Sequence, residues 1–409
     1  MKAYERLLKY VTYPTVSDEN SETCPSTKPQ LTLGADLVKE MEEIGIKDVS
    51  MDKNGYVFGT IPSNIDKKVP VIGFIAHMDV ASDAPSENIK PNIIKNYDGK
   101  DIVLNKENNL VMKVSEFESL KDYVGMDLIT TDGTTLLGAD DKAGIANILT
   151  FAERLCSDSS IKHGEIKIGF TPDEEIGRGA DLFDVKRFGA DFAYTVDGGA
   201  FGEVEYETFN AAAMKVTVNG ISIHPGSAKD KMINSILVAN EFISMLPPMA
   251  RPEKTEGYQG FFHLCGIKGE VEKTEMAFII RDHDMSLLNL KKDYAKRVAE
   301  ELNNKYGENT VIVDIKDNYQ NMKEKIMPNF HLIDTAFEAV KELGGTPICL
   351  PVRGGTDGCR LSFMGLPCPN LGTGGHNFHG KFEYICIQSM DKTVDLLTKI
   401  AEKYAESNL

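Results

Sequence analysis

At 409 residues the chain is too long for one simple hydrophobic core, so two domains are expected. With 42% hydrophobic and 26% charged residues its composition is globular, and no apolar run approaches the roughly 18–20 residues of a membrane helix. A formal net charge of −17 disfavours nucleic acid and anionic membrane as partners. The seven cysteines are scattered and form no CxxC pair, which speaks against a disulfide frame or thiolate metal site and for a reducing cytoplasm.

The opening MKAYERLLKYVTYP lacks the basic flank, apolar core and cleavage site of a signal peptide and reads as an amphipathic helix ending before Pro14. A second helix is expected in LGADLVKEMEEIG, stopped by Gly45. Strands follow around VSMDKNGYVFGTIP and at VPVIGFIAH, then an irregular insertion from Ala84 to about Gly133. LLGADDKAGIANILTFAERLC is a turn feeding a helix with apolar positions at period 3.6. EIKIGFTPDEE and ADFAYTVDGG are strands that end in acidic turns. This alternation predicts an α/β domain with a largely parallel sheet, whose sites gather at strand C-terminal ends.

The texture changes near Asn210. AAMKVTVNG, INSILVANEFISML, FHLCGIKGE, TEMAFIIRDHD, LNLKKDYAKRVAEELNNKYG and NTVIVDIKDN read in order as β-α-β-β-α-β, the α+β ferredoxin-like unit. A small domain over 210–319 is therefore expected inside a larger one built from 1–209 and 320–409.

Each strand end of the larger domain carries chemistry. VIGFIAHMD gives His77 and Asp79, which leave the strand on one face; TLLGADDKAG gives Asp140 and Asp141. IGFTPDEEIG gives Glu174 and Glu175, AYTVDGG gives Asp197, and LGTGGHNFHGKFE gives His376 and His379. Singly, each has a structural reading: a hydrogen-bonded turn, a solvated acidic turn, or a helix-capping Asp. Together they would crowd acidic groups and imidazoles into one crevice, where unpaired carboxylates repel. A divalent cation compensates most simply. Oxygen and imidazole donors without thiolates, in excess of one tetrahedral shell, suit two zinc-like ions sharing a bridging Asp.

The stretches AHMDVASDAP, TLLGADDKAGIA, GFTPDEEIGRG, YTVDGG, GISIHPGSAKDKMINS, PVRGGTDG and LGTGGHNFHGKFEY, in this order along nearly the whole chain, resemble the di-zinc family of aminoacylases, carnosinases and tripeptide aminopeptidases, most closely the peptidase T branch. The resemblance implies that His77 and Asp197 bind one zinc, that Glu175 and His379 bind the other, and that Asp140 bridges them. It implies that Asp79 orients His77, that Glu174 is the general base, and that the Asp140–Asp141 peptide bond is cis. It also matches His224 to a family histidine that helps stabilise the oxyanion. Arg353 and Arg281 are candidates for gripping a substrate carboxylate or for structural salt bridges, and Asn234 and Lys231 are further candidates for substrate contact. His376 and Asp141 are expected to support rather than ligate.

The implied activity is release of the N-terminal residue of tripeptides by a cytoplasmic di-zinc aminopeptidase. The inserted domain is then a candidate lid, mobile against the larger domain, and a candidate homodimer surface. Another amide hydrolase on the same scaffold, an N-acyl-amino-acid deacylase or dipeptidase, shares the metal centre and stays open on sequence alone. A non-catalytic metal- or peptide-binding protein would have little reason to keep Glu174 beside a full ligand set.

Overall fold

The computed structural model describes residues 1–407. It divides into two compact units, the first comprising Met1–Tyr206, Glu324–Leu350 and the chain from Thr356 on, the second Glu207–Lys323 and Pro351–Gly355.

The first unit is built on a seven-stranded sheet. Its four central strands, in spatial order Ile166–Thr171, Ile72–His77, Phe192–Gly198 and Asn370–Gly372, run parallel. Antiparallel neighbours finish the edges: Lys47–Met51 and Val57–Ile61 on one side, Val204–Glu205 on the other. The central runs are apolar because both faces are covered. The helix Ala139–Ser157 packs on the sheet and is itself covered by Ala3–Tyr10 and Ile387–Glu406, so Ile145, Ile148, Leu149 and Phe151 are all fully buried. Phe74 locks this layer, meeting Phe151 edge-on at 5.2 Å between ring centroids and stacking on Tyr194 at 6.0 Å.

The segment read as an irregular insertion is in fact folded. It contributes Asn92–Ile94 and Leu128–Thr130 to a second, four-stranded sheet with Gly375–His376 and Tyr384–Cys386, while Ile102–Asn105 and Leu110–Met112 pair as a hairpin. Tyr97, Leu120, Tyr123, Leu128 and Tyr384 form its own apolar cluster. Strands of three or four residues are too short to show a period in sequence.

The second unit has the expected ferredoxin-like topology, with Phe261–Gly269, Lys273–Asp282, Asn210–Asn219 and Val311–Tyr319 in an antiparallel sheet. The helices Ser235–Met245 and Met285–Tyr306 close a core that includes Val216, Phe242, Phe278, Ile280 and Leu288. Its limits lie a few residues outside 210–319, and it also takes Pro351–Gly355. There Val352 donates its N–H to the Glu207 carbonyl at 2.8 Å and Phe209 donates to the Gly354 carbonyl at 3.2 Å. Arg353 therefore belongs to this unit. Among the described residues, no helix is long and apolar enough to cross a membrane.

Gly144 marks where the covering helix comes closest to the sheet, since a methyl group there would overlap the carbonyl oxygen of Val196 and the carboxylate of Asp141. Alanine is the better helix former by about 1 kcal/mol, but overpacking typically costs about 1–3 kcal/mol, and a backbone carbonyl cannot rotate away. Gly144→Ala should therefore lower the urea unfolding midpoint. A midpoint at or above wild type would show that the helix has room to retreat.

Candidate active site

Each chemical side chain is placed by the end of a regular element. His77 is the last residue of Ile72–His77, and Asp197 is the penultimate residue of Phe192–Gly198. Glu174 and Glu175 open a short turn just past Ile166–Thr171, and Asp140 stands at the start of Ala139–Ser157. The parallel strands finish on one edge of the sheet, so these groups meet there. His379 comes from the loop between Gly375–His376 and Tyr384–Cys386, at a backbone φ of +61°.

Asp140 is the centre of the arrangement. Its Oδ1 lies 2.9 Å from His77 Nε2, and its Oδ2 lies 3.4 Å from His379 Nε2. His77 Nε2 is also 3.4 Å from Asp197 Oδ1, and His379 Nε2 is 2.9 Å from Glu175 Oε2. Two groups of donors result, His77–Asp140–Asp197 and Asp140–Glu175–His379, and within each the ligand atoms all lie within 4.8 Å of one another. All five residues expected to ligate are thus brought together. The Asp140–Asp141 peptide bond is cis.

The carboxylates behind this centre hold main chain. Asp79, fully buried, accepts the N–H of Glu174 on Oδ1 at 3.0 Å and that of Glu175 on Oδ2 at 3.1 Å. His77 Nδ1 faces the Asp79 main-chain oxygen at 3.1 Å, with Asp79 Oδ1 at 3.5 Å. Asp79 therefore supports the acidic turn as well as the imidazole. Asp141 accepts the N–H of His77 at 3.2 Å and of Gly144 at 3.1 Å, a supporting role as expected. His376 also stays outside both donor groups: Tyr123 Oη lies 2.6 Å from its Nε2, it stacks on Tyr384, and burial pulls its pKa down to about 4.

Several supports escaped the sequence reading. Asp83 Oδ2 lies 3.5 Å from His379 Nδ1, on the ring edge away from the Nε2 that faces Asp140 and Glu175. Asn370 accepts the N–H of Asp197 at 3.2 Å and donates to Glu205 at 2.7 Å. Asp173, in left-handed backbone at φ +60°, accepts from Ser26 N–H at 2.7 Å and Gln30 Nε2 at 2.7 Å, clamping the acidic turn to the first turn of Lys28–Ile44. Lys142 is fully buried and donates Nζ to the Tyr13 carbonyl at 2.7 Å, with burial pulling its pKa down to about 7 against the charges of Glu383 and Asp79. Adjacent acids or a lone Asn give no spacing signal. Only the left-handed bias of an Asp before a turn hinted at Asp173.

Crowding sets the electrostatics. Burial pushes Asp197 and Glu175 up to about 7, each with Asp140 as a further like charge. Burial also raises Glu174 well above the carboxylate range; His77 opposes this, while Asp197, Asp357 and Glu175 add to it. Asp357 is a buried neighbour that takes a hydrogen bond from Thr171 Oγ1 at 2.7 Å. Hydrogen bonds to Asp140 and Glu175 raise His379 to about 11. For His77 burial acts downward, but Asp197, Asp140 and Asp79 outweigh it and hold it well above its ordinary value.

The residues matched to substrate contact all lie in the second unit. His224 is exposed and accepts the Gly226 N–H on Nδ1 at 3.2 Å. Asn234 caps Ser235–Met245 through the Ile236 N–H at 3.0 Å. Arg353 lies over the rings of Phe209 and Phe261 and donates to the carbonyls of Gly257 and Gln259 at 2.7 and 2.9 Å and to Thr255 Oγ1 at 2.8 Å, so its fork is occupied by two carbonyls and a hydroxyl. Arg281 donates Nη1 to the Arg353 carbonyl at 3.0 Å, while its Nε is buried without a hydrogen-bond partner.

A model of the peptidase family M20/M25/M40 matches residues 132–403. Over 405 residues, 99% of both chains, the sequence is 57% identical to peptidase T of Caldanaerobacter subterraneus subsp. tengcongensis. This chain belongs to the peptidase family M20/M25/M40. Solved structures share its fold: a tripeptidase from Staphylococcus aureus superposes with a TM-score of 0.77 at 24% identity, covering 98% of this chain and 99% of that one. A dinuclear metal-binding peptidase of the M20 family from Bacillus subtilis gives a TM-score of 0.65 at 15% identity, covering 99% of both.

The donor set of this M20/M25/M40 peptidase fits metal on its own chemistry. Three carboxylates and two imidazoles converge, and Glu175 Oε1 is buried without a hydrogen-bond partner. Metal ligation needs neutral imidazoles and ionised carboxylates, whereas His379 is raised to about 11 and Glu175 and Asp197 to about 7. Loading the metal-free protein at pH 7 should therefore release protons, and affinity should fall as pH is lowered. Calorimetry in two buffers of different ionisation enthalpy checks this. Identical heats in both would mean that the ligands are not protonated beforehand.

Proposed function

We infer that the chain is a metal-dependent aminopeptidase that removes the N-terminal residue of tripeptides, with zinc as the metal and Asp140 as the bridge between two ions. The observation that carries this reading is the carboxylate of Asp140, with one oxygen in each donor group. When bound, a pair of divalent ions supplies Lewis acidity, lowering the pKa of water and polarising the scissile carbonyl. His77 and Asp197 would hold one ion, Glu175 and His379 the other.

The protein's own part is proton transfer and positioning. Glu174 lies 4.0 Å from His77 Nε2 and belongs to neither donor group. It takes the proton of the attacking water and returns it to the leaving amine. Asp79 fixes the backbone of Glu174 and Glu175 together, so base and ligand keep one register. In this reading His224 contributes to the oxyanion, and Arg281, with a donor left over at Nε, is the better candidate for a substrate carboxylate than Arg353. The homodimer expected through the inserted unit has an open sheet edge available in Phe261–Gly269.

Two experiments test this. Ala-Ala-Ala should be cleaved well, its N-acetylated and C-amidated forms poorly, and Ala-Ala and N-acetyl amino acids poorly. Preferred turnover of N-acetyl amino acids would convert the reading to a deacylase. Glu174→Gln should keep its metal content while losing on the order of 10²–10⁴ in rate, beyond rescue by added zinc. Glu175→Gln should lose an ion and recover some activity in excess zinc, because an amide is a poorer ligand than a carboxylate. The opposite pattern in metal analysis would exchange the two roles.

A further inference from the structure

Glu383 is a carboxylate at the edge of the site to which neither the sequence pattern nor the mechanism above gives a task. Its side chain is 1% exposed. It accepts four successive main-chain N–H groups: Leu137 and Gly138 on Oε2 at 2.7 and 2.8 Å, Ala139 and Asp140 on Oε1 at 2.7 and 3.1 Å. No other side chain in the site takes that many. The N–H groups at the start of a helix have no partner within it, and here a residue more than 240 positions away supplies one. Gly138, at φ +73°, lets the chain curl so that all four point at one group.

Glu383 is itself anchored. It lies four residues after His379, with its own N–H donated to the Gly380 carbonyl at 3.2 Å. The next residues enter Tyr384–Cys386, paired on one side with Gly375–His376 and on the other with Leu128–Thr130. One side chain thus joins the loop that carries His379 to the loop that carries Asp140.

We propose that Glu383 is a positioning residue that sets Asp140 against His379, and so fixes the geometry of the second donor group, Asp140–Glu175–His379. A glutamine there would offer one acceptor oxygen and turn an NH₂ towards N–H groups, leaving about half of them without a partner. The loop would relax and carry the Asp140 carboxylate with it. The proposal rests on the reading of Asp140 as a shared ligand.

The test is zinc titration of metal-free protein against a competing chelator, with kcat and KM for Ala-Ala-Ala measured in parallel. Wild type should bind two ions. Glu383→Gln should bind the weaker of them about 10–100-fold less tightly, the usual scale for residues that orient ligands, and its kcat should fall with KM little changed. Glu383→Asp keeps the charge but is one methylene shorter, and should lie between the two. If both variants only melt earlier, with wild-type zinc affinity and kcat, Glu383 is a structural cap and the proposal is overturned. If Glu383→Gln does not fold, the Asp variant decides alone: reduced affinity supports the proposal and unchanged affinity overturns it. Should wild type itself bind a single ion, the shared-ligand reading fails instead, and the titration shows this before any variant is compared.

Discussion

Carboxylates buried within a few ångströms of one another cannot all stay charged unless positive charge is placed among them. That constraint organises the larger unit. Asp140, Asp197, Glu174 and Glu175 are all well buried, and the imidazoles of His77 and His379 are set among them. The crowding shows in proton affinity: His77 and His379 are pushed up, and Asp197 and Glu175 are pushed to about 7. Burial acts upward on Asp140 as well, but hydrogen bonds from His379 and His77 outweigh it and hold it below the usual carboxylate range. It is the residue shared by both donor groups.

Such a cluster would spread apart if its backbone could move, and the fold prevents this with further buried carboxylates rather than bulk. Asp79 holds the Glu174–Glu175 turn from the sheet side, Asp173 clamps it to the helix Lys28–Ile44, and Asp141 pins the end of His77's strand to the turn that carries Asp140. Each accepts main-chain N–H groups, which are strong donors in a dry interior and cost much if left unmet. The negative charge around the site therefore has two tasks, forming the two donor groups and tying down the loops that carry them.

The placement of the chemical side chains at strand ends was legible in the sequence because it follows from period. Apolar strands ending in His77, Asp197 and the Glu174–Glu175 pair point to one sheet edge, and the β-α-β-β-α-β order of the inserted unit is a pattern of element types. Features made by contacts distant in sequence were not legible. The strands of 92–130 are too short to show alternation, and Leu128–Thr130 pairs with Tyr384–Cys386, which nothing local announces. The return of 351–355 to the inserted unit depends on two main-chain hydrogen bonds, which any residues could make. Asp83 and Asn370 are single polar residues whose meaning lies in which ligand they face. Arg353 had two readings in the sequence, ligand capture and a structural role. A charged fork in a Gly-rich loop suggests ligand capture, yet stacked on Phe209 and Phe261 it serves equally well as a brace for the carbonyls of 257 and 259.

Glu174 and Glu175 show how neighbours with one side-chain type acquire different chemistry. Both N–H groups rest on the same carboxylate, so their main chains are fixed alike. The turn between Asp173 and Gly177, both in left-handed backbone, then sends the two side chains different ways. Glu175 reaches His379 at 2.9 Å and joins a donor group. Glu174 remains 4.0 Å from His77, with Asp197, Asp357 and Glu175 as like charges around it, so its proton affinity is raised without any ligand bond. A carboxylate with high proton affinity and no metal to hold is suited to accept and return a proton. Its neighbour, drawn onto His379, is suited to bind. In the proposed mechanism the division of labour follows from the Glu174–Ile176 turn and the direction it gives each side chain, not from residue type.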